Sequence, residues 1–228
     1  ILVAAWFLLG LSPLSAATGE KMAVDIVVFS YNRPLQLFAF LESVEKYVVG
    51  VDKVIVLYRA SDDAYQLAYD QVKKVFPLVH YLQQDHATAN EYFKRDFEAI
   101  LQSDLMVPYV ALAVDDIIIC DAIDMADCAQ HLSAHPEATG FYVRMGKNIR
   151  KSYLKPKAKP GLPVFQMLPG DVLLWHFAGG PVSWKYPHNM DMTIYRKAEM
   201  LQLFEGLSYK APNSLLVAWS KVVQGTAG

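Results

Sequence analysis

Short apolar runs alternate with segments of helical periodicity from Asp25 to His135. Asp25–Ser30, Lys53–Tyr58, Val79–Leu82 and Tyr109–Val114 have the length and composition of strands. Between them, Leu35–Tyr47 sets Leu37, Phe38, Phe40, Leu41, Val44 and Tyr47 at helical spacing, and Gly50 reads as its stop. Ser61-Asp62-Asp63 reads as a cap for a helix running to about Val75. Glu91–Leu101 places Phe93, Phe97 and Ile100 on one face. Asp121–His135 reads as another helix and Phe141–Arg144 as a further strand. This alternation restricts the chain to few architectures. Successive βαβ units build a mainly parallel central sheet with helices on both faces, so an α/β fold is expected. Hydrophobic residues make up 54% of the 228-residue chain, enough for a core on each face.

Ligands of such sheets bind at the carboxyl ends of the strands. There the fourth strand ends in Asp115 and Asp116, closing the run Val110-Ala-Leu-Ala-Val-Asp-Asp. Charge at the end of a buried strand is costly unless something compensates it. Two adjacent carboxylates suit Mg²⁺ or Mn²⁺ and leave coordination positions open for phosphate oxygens. The other reading is that Asp116 caps the next element and Asp115 faces solvent. The first strand exits through Tyr31-Asn32-Arg33-Pro34, where Arg33 suits phosphate and Asn32 a base or ribose; the same residues also make a good turn. Asp62 and Asp63 follow the second strand, as helix caps or as acceptors for a nucleotide. These loops are expected to line one crevice.

The later chain carries different chemistry. Arg150–Pro169 mixes lysines with prolines and reads as a connecting loop, and Asp171–Trp175 reads as a strand. Trp184–Arg196 is dense in aromatic and polar groups, a composition suited to carbohydrate. Asp191 is the candidate general base for an acceptor hydroxyl, with His188 its competitor. His176 is a candidate third metal ligand or a core histidine. Lys94 could approach a diphosphate or lie on a solvated helix face. Asp191–Gly206 reads as a strand leading into a helix.

A formal net charge of −2 points away from nucleic acid as a partner. Cys120 and Cys128 fit neither a zinc site nor a disulfide framework. Ile1–Leu9 is apolar and Ser12–Ala17 supplies small residues, as in a secretory leader; a membrane anchor is the rival. The expected organisation is a leader or anchor over residues 1–22, then one domain over 23–228. That domain divides into two halves, 23–145 and 146–228. The leader implies export or membrane association; without it the expectation is cytoplasmic.

The stretch Asp25–Pro34, the strand at 53–58 with Ser61-Asp62-Asp63, and Val114-Asp115-Asp116-Ile117 together resemble nucleotide-sugar glycosyltransferases of the GT-A fold, in the broad family 2-like group. Tyr186–Arg196, with Ala211-Pro212-Asn213, resembles the acceptor-side half of some bacterial relatives. The resemblance implies a nucleotide-sugar donor, a carbohydrate, lipid or protein hydroxyl acceptor, and a metal held by Asp115-Asp116 in place of an Asp-X-Asp motif. It implies nucleotide contacts from Ser30, Asn32, Arg33, Asp115 and one of Asp62 or Asp63, and an acidic base, a role transferred to Asp191. Two alternatives stand beside it. A nucleotidyltransferase would normally show a Gly-rich loop after the first strand, and Ser30–Arg33 has no glycine. A non-catalytic carbohydrate- or surface-binding protein on a degenerate transferase scaffold would fit the leader.

Overall fold

The computed structural model describes residues 2–4, 22–149, 161–178, 180–181, 184–186 and 188–225. Strands and helices follow the order β1 (Leu2–Ala4), β2 (Val24–Tyr31), α1 (Pro34–Tyr47), β3 (Val48–Val49), β4 (Val51–Arg59), α2 (Asp63–Val75), β5 (His80–Gln83), α3 (Ala89–Gln102), β6 (Tyr109–Val114), β7 (Ile123–Asp124), α4 (Met125–Ala134), β8 (Ala138–Tyr142), β9 (Gln166–Leu168), β10 (Val172–His176), β11 (Thr193–Arg196), α5 (Lys197–Glu205) and α6 (Pro212–Gly225). Among these residues one nine-stranded sheet runs β5-β4-β2-β6-β11-β8-β1-β10-β9, and β3 pairs separately with β7. The first four strands in that order are mutually parallel, as the βαβ alternation requires. β11 enters antiparallel between β6 and β8.

Both faces of the sheet are covered. Val24, Ile26 and Val28 of β2 pack with Leu37 and Phe40 of α1, Tyr69 of α2, and Met125 and Leu132 of α4. The alternate residues Val27 and Phe29 pack with Phe93 and Phe97 of α3, Phe204 of α5 and Trp219 of α6. The period-2 alternation of a strand divides its side chains between two cores in this way. A third cluster joins Tyr142, Trp175, Phe177 and Trp184 beyond β8.

Three expectations change. The helix expected from Asp121 starts at Met125, because Asp124 caps it by accepting from Ala126 N–H at 2.9 Å. Gly50 does not stop α1, which ends at Tyr47 with Val48 already extended. Gly50 joins β3 to β4 with φ of 76°, and a Cβ there would collide with the Asp124 carboxylate and the Ala126 nitrogen. Gly50→Ala is therefore expected to lose the α4 cap and strain the turn, costing about 2–3 kcal/mol, measured as a lower urea midpoint at unchanged slope. Lys94 is the third. Its ammonium donates to the carbonyls of Phe204, Glu205 and Leu207, closing the end of α5 rather than approaching a ligand.

Of the expected connecting loop Arg150–Pro169, residues 150–160 lie outside the described residues, and so does most of the expected leader. No helix among the described residues is long and apolar enough to cross a membrane.

Candidate active site

The carboxyl ends of β2, β4, β6 and β8 and the start of β11 meet at one edge of the sheet. β6 delivers Asp115 there almost completely buried, 4% exposed, while Asp116 turns outward. The loop beyond is tied to α1, since Ser43 Oγ accepts the Ile119 N–H at 3.1 Å.

Asp115 is held from two sides. Ser30 Oγ donates to its Oδ2 at 2.7 Å, and Arg33 Nη1 stands 3.5 Å from its Oδ1. Ser30 spends its one proton on Asp115, so the 2.6 Å bond between Ser30 Oγ and Tyr69 Oη is donated by the tyrosine. Tyr69 Oη in turn accepts the Arg33 N–H at 3.1 Å. A directed relay thus runs from the Arg33 backbone through Tyr69 and Ser30 to Asp115. Burial pushes the Asp115 carboxyl up, against the Ser30 hydrogen bond and the Arg33 charge that pull it down. The Arg33 guanidinium reaches on to Asp116 Oδ2 at 2.7 Å, and that contact foremost raises its own pKa.

The neighbouring loops are fixed by reciprocal bonds. Asn32, in the left-handed region at φ 55°, donates from Nδ2 to Ser61 Oγ at 2.8 Å and accepts the Ser61 N–H at 2.9 Å. Asp62 caps α2, accepting from Ala64 N–H and Tyr65 N–H at 3.0 and 3.1 Å; the Tyr65 bond chiefly lowers its pKa. Asp63 is exposed in the first turn of the same helix. Of the two readings weighed for Asp62, the cap is present.

On the other side of β6, Met192 N–H donates to the Leu112 carbonyl at 2.9 Å. The β11–β6 register begins at Thr193 opposite Leu112, and Asp191 lies two residues before it, beyond Met192 in the left-handed region at φ 54°. Asp191 pairs with Arg144 at 3.0 Å, and its N–H donates to Asn189 Oδ1 at 3.0 Å. Asn189 is locked by Thr193 Oγ1 and by two hydrogen bonds with Tyr195: its N–H donates to the hydroxyl, and the hydroxyl donates to its carbonyl, each at 2.9 Å. His188 stacks flat on Trp219 of α6, ring centroids 4.0 Å apart. Its ring is thus part of the aromatic packing on that face.

The edge therefore gathers Ser30, Asn32, Arg33, Asp62, Asp115, Asp116 and Asp191. It does not gather His176, which ends β10 on the far side of β11, β8 and β1 from β6. Among the described residues no three of His, Cys, Asp and Glu are grouped to hold a metal ion, so His176 as a third ligand is corrected. The Asp115 and Asp116 carboxylates converge on one position, which Arg33 Nη1 fills.

Some groups at this edge went unread in the sequence. Tyr31, the last residue of β2, has the Arg59 guanidinium 4.0 Å over its ring and His86 stacked at 5.8 Å. Its outward position at a strand end was the available signal. Tyr69 and Arg144 gave none beyond a helical core position and a strand end. A cavity of about 810 Å³ lies between β4–β5 and α3, lined by Ile55, Leu57, Leu82, Tyr92 and Ile100 among others; none of its lining residues belongs to the acid pair's network.

Over 138 residues the chain is 28% identical to the bifunctional glycosyltransferase pgtA of Dictyostelium discoideum. The chain shares sequence with a glycosyltransferase. The match takes in 57% of the chain but 17% of that relative, so the chain spans less than a fifth of its length. No family model matches. Among solved structures, S. aureus TarS aligns with a TM-score of 0.49 at 14% identity, over 86% of this chain and 33% of that one. TarS 1-349 in complex with UDP gives 0.46 at 13%, over 86% and 54%. A 4-diphosphocytidyl-2C-methyl-D-erythritol synthase gives 0.43 at 12%, over 90% and 86%. None of these scores reaches 0.5, and none bears on the reaction.

Proposed function

We propose that this chain transfers a sugar from a nucleoside-diphosphate donor to a hydroxyl acceptor. The observation that carries the reading is the meeting, at one sheet edge, of a buried acid held by Ser30 and Arg33, its outward neighbour, and a separate carboxylate, Asp191, just before β11. The name of the relative that shares sequence supports the same class of reaction.

In this reading Asp115 and Asp116 are the residues that hold a Mn²⁺ or Mg²⁺ ion, which when bound offsets charge on the departing diphosphate. Arg33 pairs with phosphate. Asp191 accepts the proton of the acceptor hydroxyl while Arg144 holds its carboxylate and Asn189 its backbone N–H. The anomeric carbon then exchanges its bond to diphosphate oxygen for one to the acceptor oxygen. The acceptor class is a carbohydrate, lipid or protein hydroxyl.

A thermal-shift screen of nucleoside diphosphates, with and without Mn²⁺, tests the reading. We expect one nucleotide to raise Tm by several degrees only when Mn²⁺ is present, as ligand linkage requires at concentrations far above Kd. A flat screen overturns the donor site and favours a non-catalytic protein on a transferase scaffold.

A further inference from the structure

The acid pair already holds a cation, the Arg33 guanidinium. A single nitrogen, Arg33 Nη1, stands 2.7 Å from Asp116 Oδ2 and 3.5 Å from Asp115 Oδ1. Asp115 Oδ2 is occupied by the Ser30 hydroxyl. A metal ion drawing on both carboxylates needs oxygens at roughly 2.0–2.6 Å and so competes for the space the guanidinium fills. The two cations cannot share it.

The arginine is built to leave. Its backbone is pinned: the N–H is bound by Tyr69, and the preceding Asn32 is locked to Ser61. Its side chain is 48% exposed, in contact with the exposed carboxylate of Asp116 on the solvent side. A fixed root with a solvated head lets the guanidinium swing without disturbing the loop. An ion pair this exposed is also weak, so giving it up costs little. Once released, the guanidinium remains beside the acid pair, within reach of anionic oxygens brought in with the metal.

We propose that Arg33 is an exchangeable counter-ion: it bridges Asp115 and Asp116 in the free protein, yields that place to a divalent cation, and then pairs with the diphosphate that accompanies the cation. This rests on the donor-site reading above. Its consequence is that one substitution acts in opposite directions on two ligands. Arg33 opposes the metal alone and assists the metal with diphosphate.

Titration calorimetry on the intact chain tests this with Mn²⁺ alone and with inorganic pyrophosphate at saturating Mn²⁺. Arg33→Met keeps the aliphatic stem and removes the charge. It is expected to tighten Mn²⁺ binding about 2- to 5-fold and to weaken pyrophosphate binding about 10-fold or more. Arg33→Lys, which keeps a charge without the planar fork, is expected to fall between wild type and Arg33→Met for both ligands. If wild type binds Mn²⁺ and pyrophosphate but Arg33→Met binds Mn²⁺ no more tightly, the exchange is wrong and the donor site stands. If both affinities fall together, Arg33 is only a structural support and the exchange is wrong. If neither protein binds Mn²⁺, the cation reading fails and the exchange fails with it.

Discussion

Lys197→Met is expected to destabilise the protein by about 3–5 kcal/mol, the cost of stranding one partner of a buried ion pair. Lys197 Nζ lies 2.6 Å from Asp25 Oδ2, and both side chains are 2% exposed. The ammonium also donates to the Asp104 carbonyl at 2.9 Å. Asp25 Oδ1 has no hydrogen-bond partner among the described residues, so the carboxylate already depends on this one cation. Removing it leaves a buried charge in the central strand, joined through 172 residues of chain to the helix that served it. Urea unfolding should show the loss as a lower midpoint. The double variant Asp25→Leu with Lys197→Met separates charge from packing. Apolar replacement of both partners of a buried pair is commonly neutral or better, so it should recover most of the loss. If the double variant is as unstable as the single one, the ion pair is not the cause. Asp25 is the second residue of β2, and the candidate site lies beyond the strand's other end, so nucleotide response should survive at low temperature.

The strand–helix alternation was legible because the two periods differ sharply: Val27 and Phe29 face one core while Val28 faces the other, and Leu37, Phe40, Leu41 and Val44 form a stripe. The chain needs nothing distant to make those elements. The entry of β11 between β6 and β8 had no such local cause, since Thr193–Arg196 chooses its neighbours by tertiary packing. Gly50 misled for a related reason. Glycine after a helical run suits a helix end, but here the demand for positive φ comes from a turn that passes against the α4 cap. Asp62 and Asp115 were both visible as acids at strand ends, yet only the fold distinguishes them. Two backbone N–H groups use Asp62 as a cap, whereas Asp115 is buried beneath a serine and an arginine. Tyr69 sat at a core position of an amphipathic helix and gave no sign of its hydroxyl chemistry. His188 looked chemical because its partner, Trp219, belongs to α6, a helix the sequence reading did not draw. Pairings of this kind exist only once the chain has closed.

Asp116→Ala is expected to lower transfer from a nucleotide-sugar donor by at least about 100-fold, the scale of losing one electrostatic stabiliser of a developing charge. This residue is the cleaner member of the pair to change. Its side chain is 53% exposed and its contact is the Arg33 guanidinium, so folding should move by no more than about 0.5 kcal/mol. Asp115, by contrast, anchors the relay from Tyr69 and Ser30, and its loss would mix structural and catalytic effects. A large loss of activity at unchanged Tm therefore points to charge at the reaction centre. The kinetic form of the loss carries further information. If Asp116 serves the diphosphate as negative charge accumulates on the leaving oxygen, the loss appears in kcat as well as in kcat/KM. A change confined to KM would mean that the residue only helps to seat the donor. Full activity in Asp116→Ala would remove the outward carboxylate from the site and leave Asp115 as the single acid able to serve it.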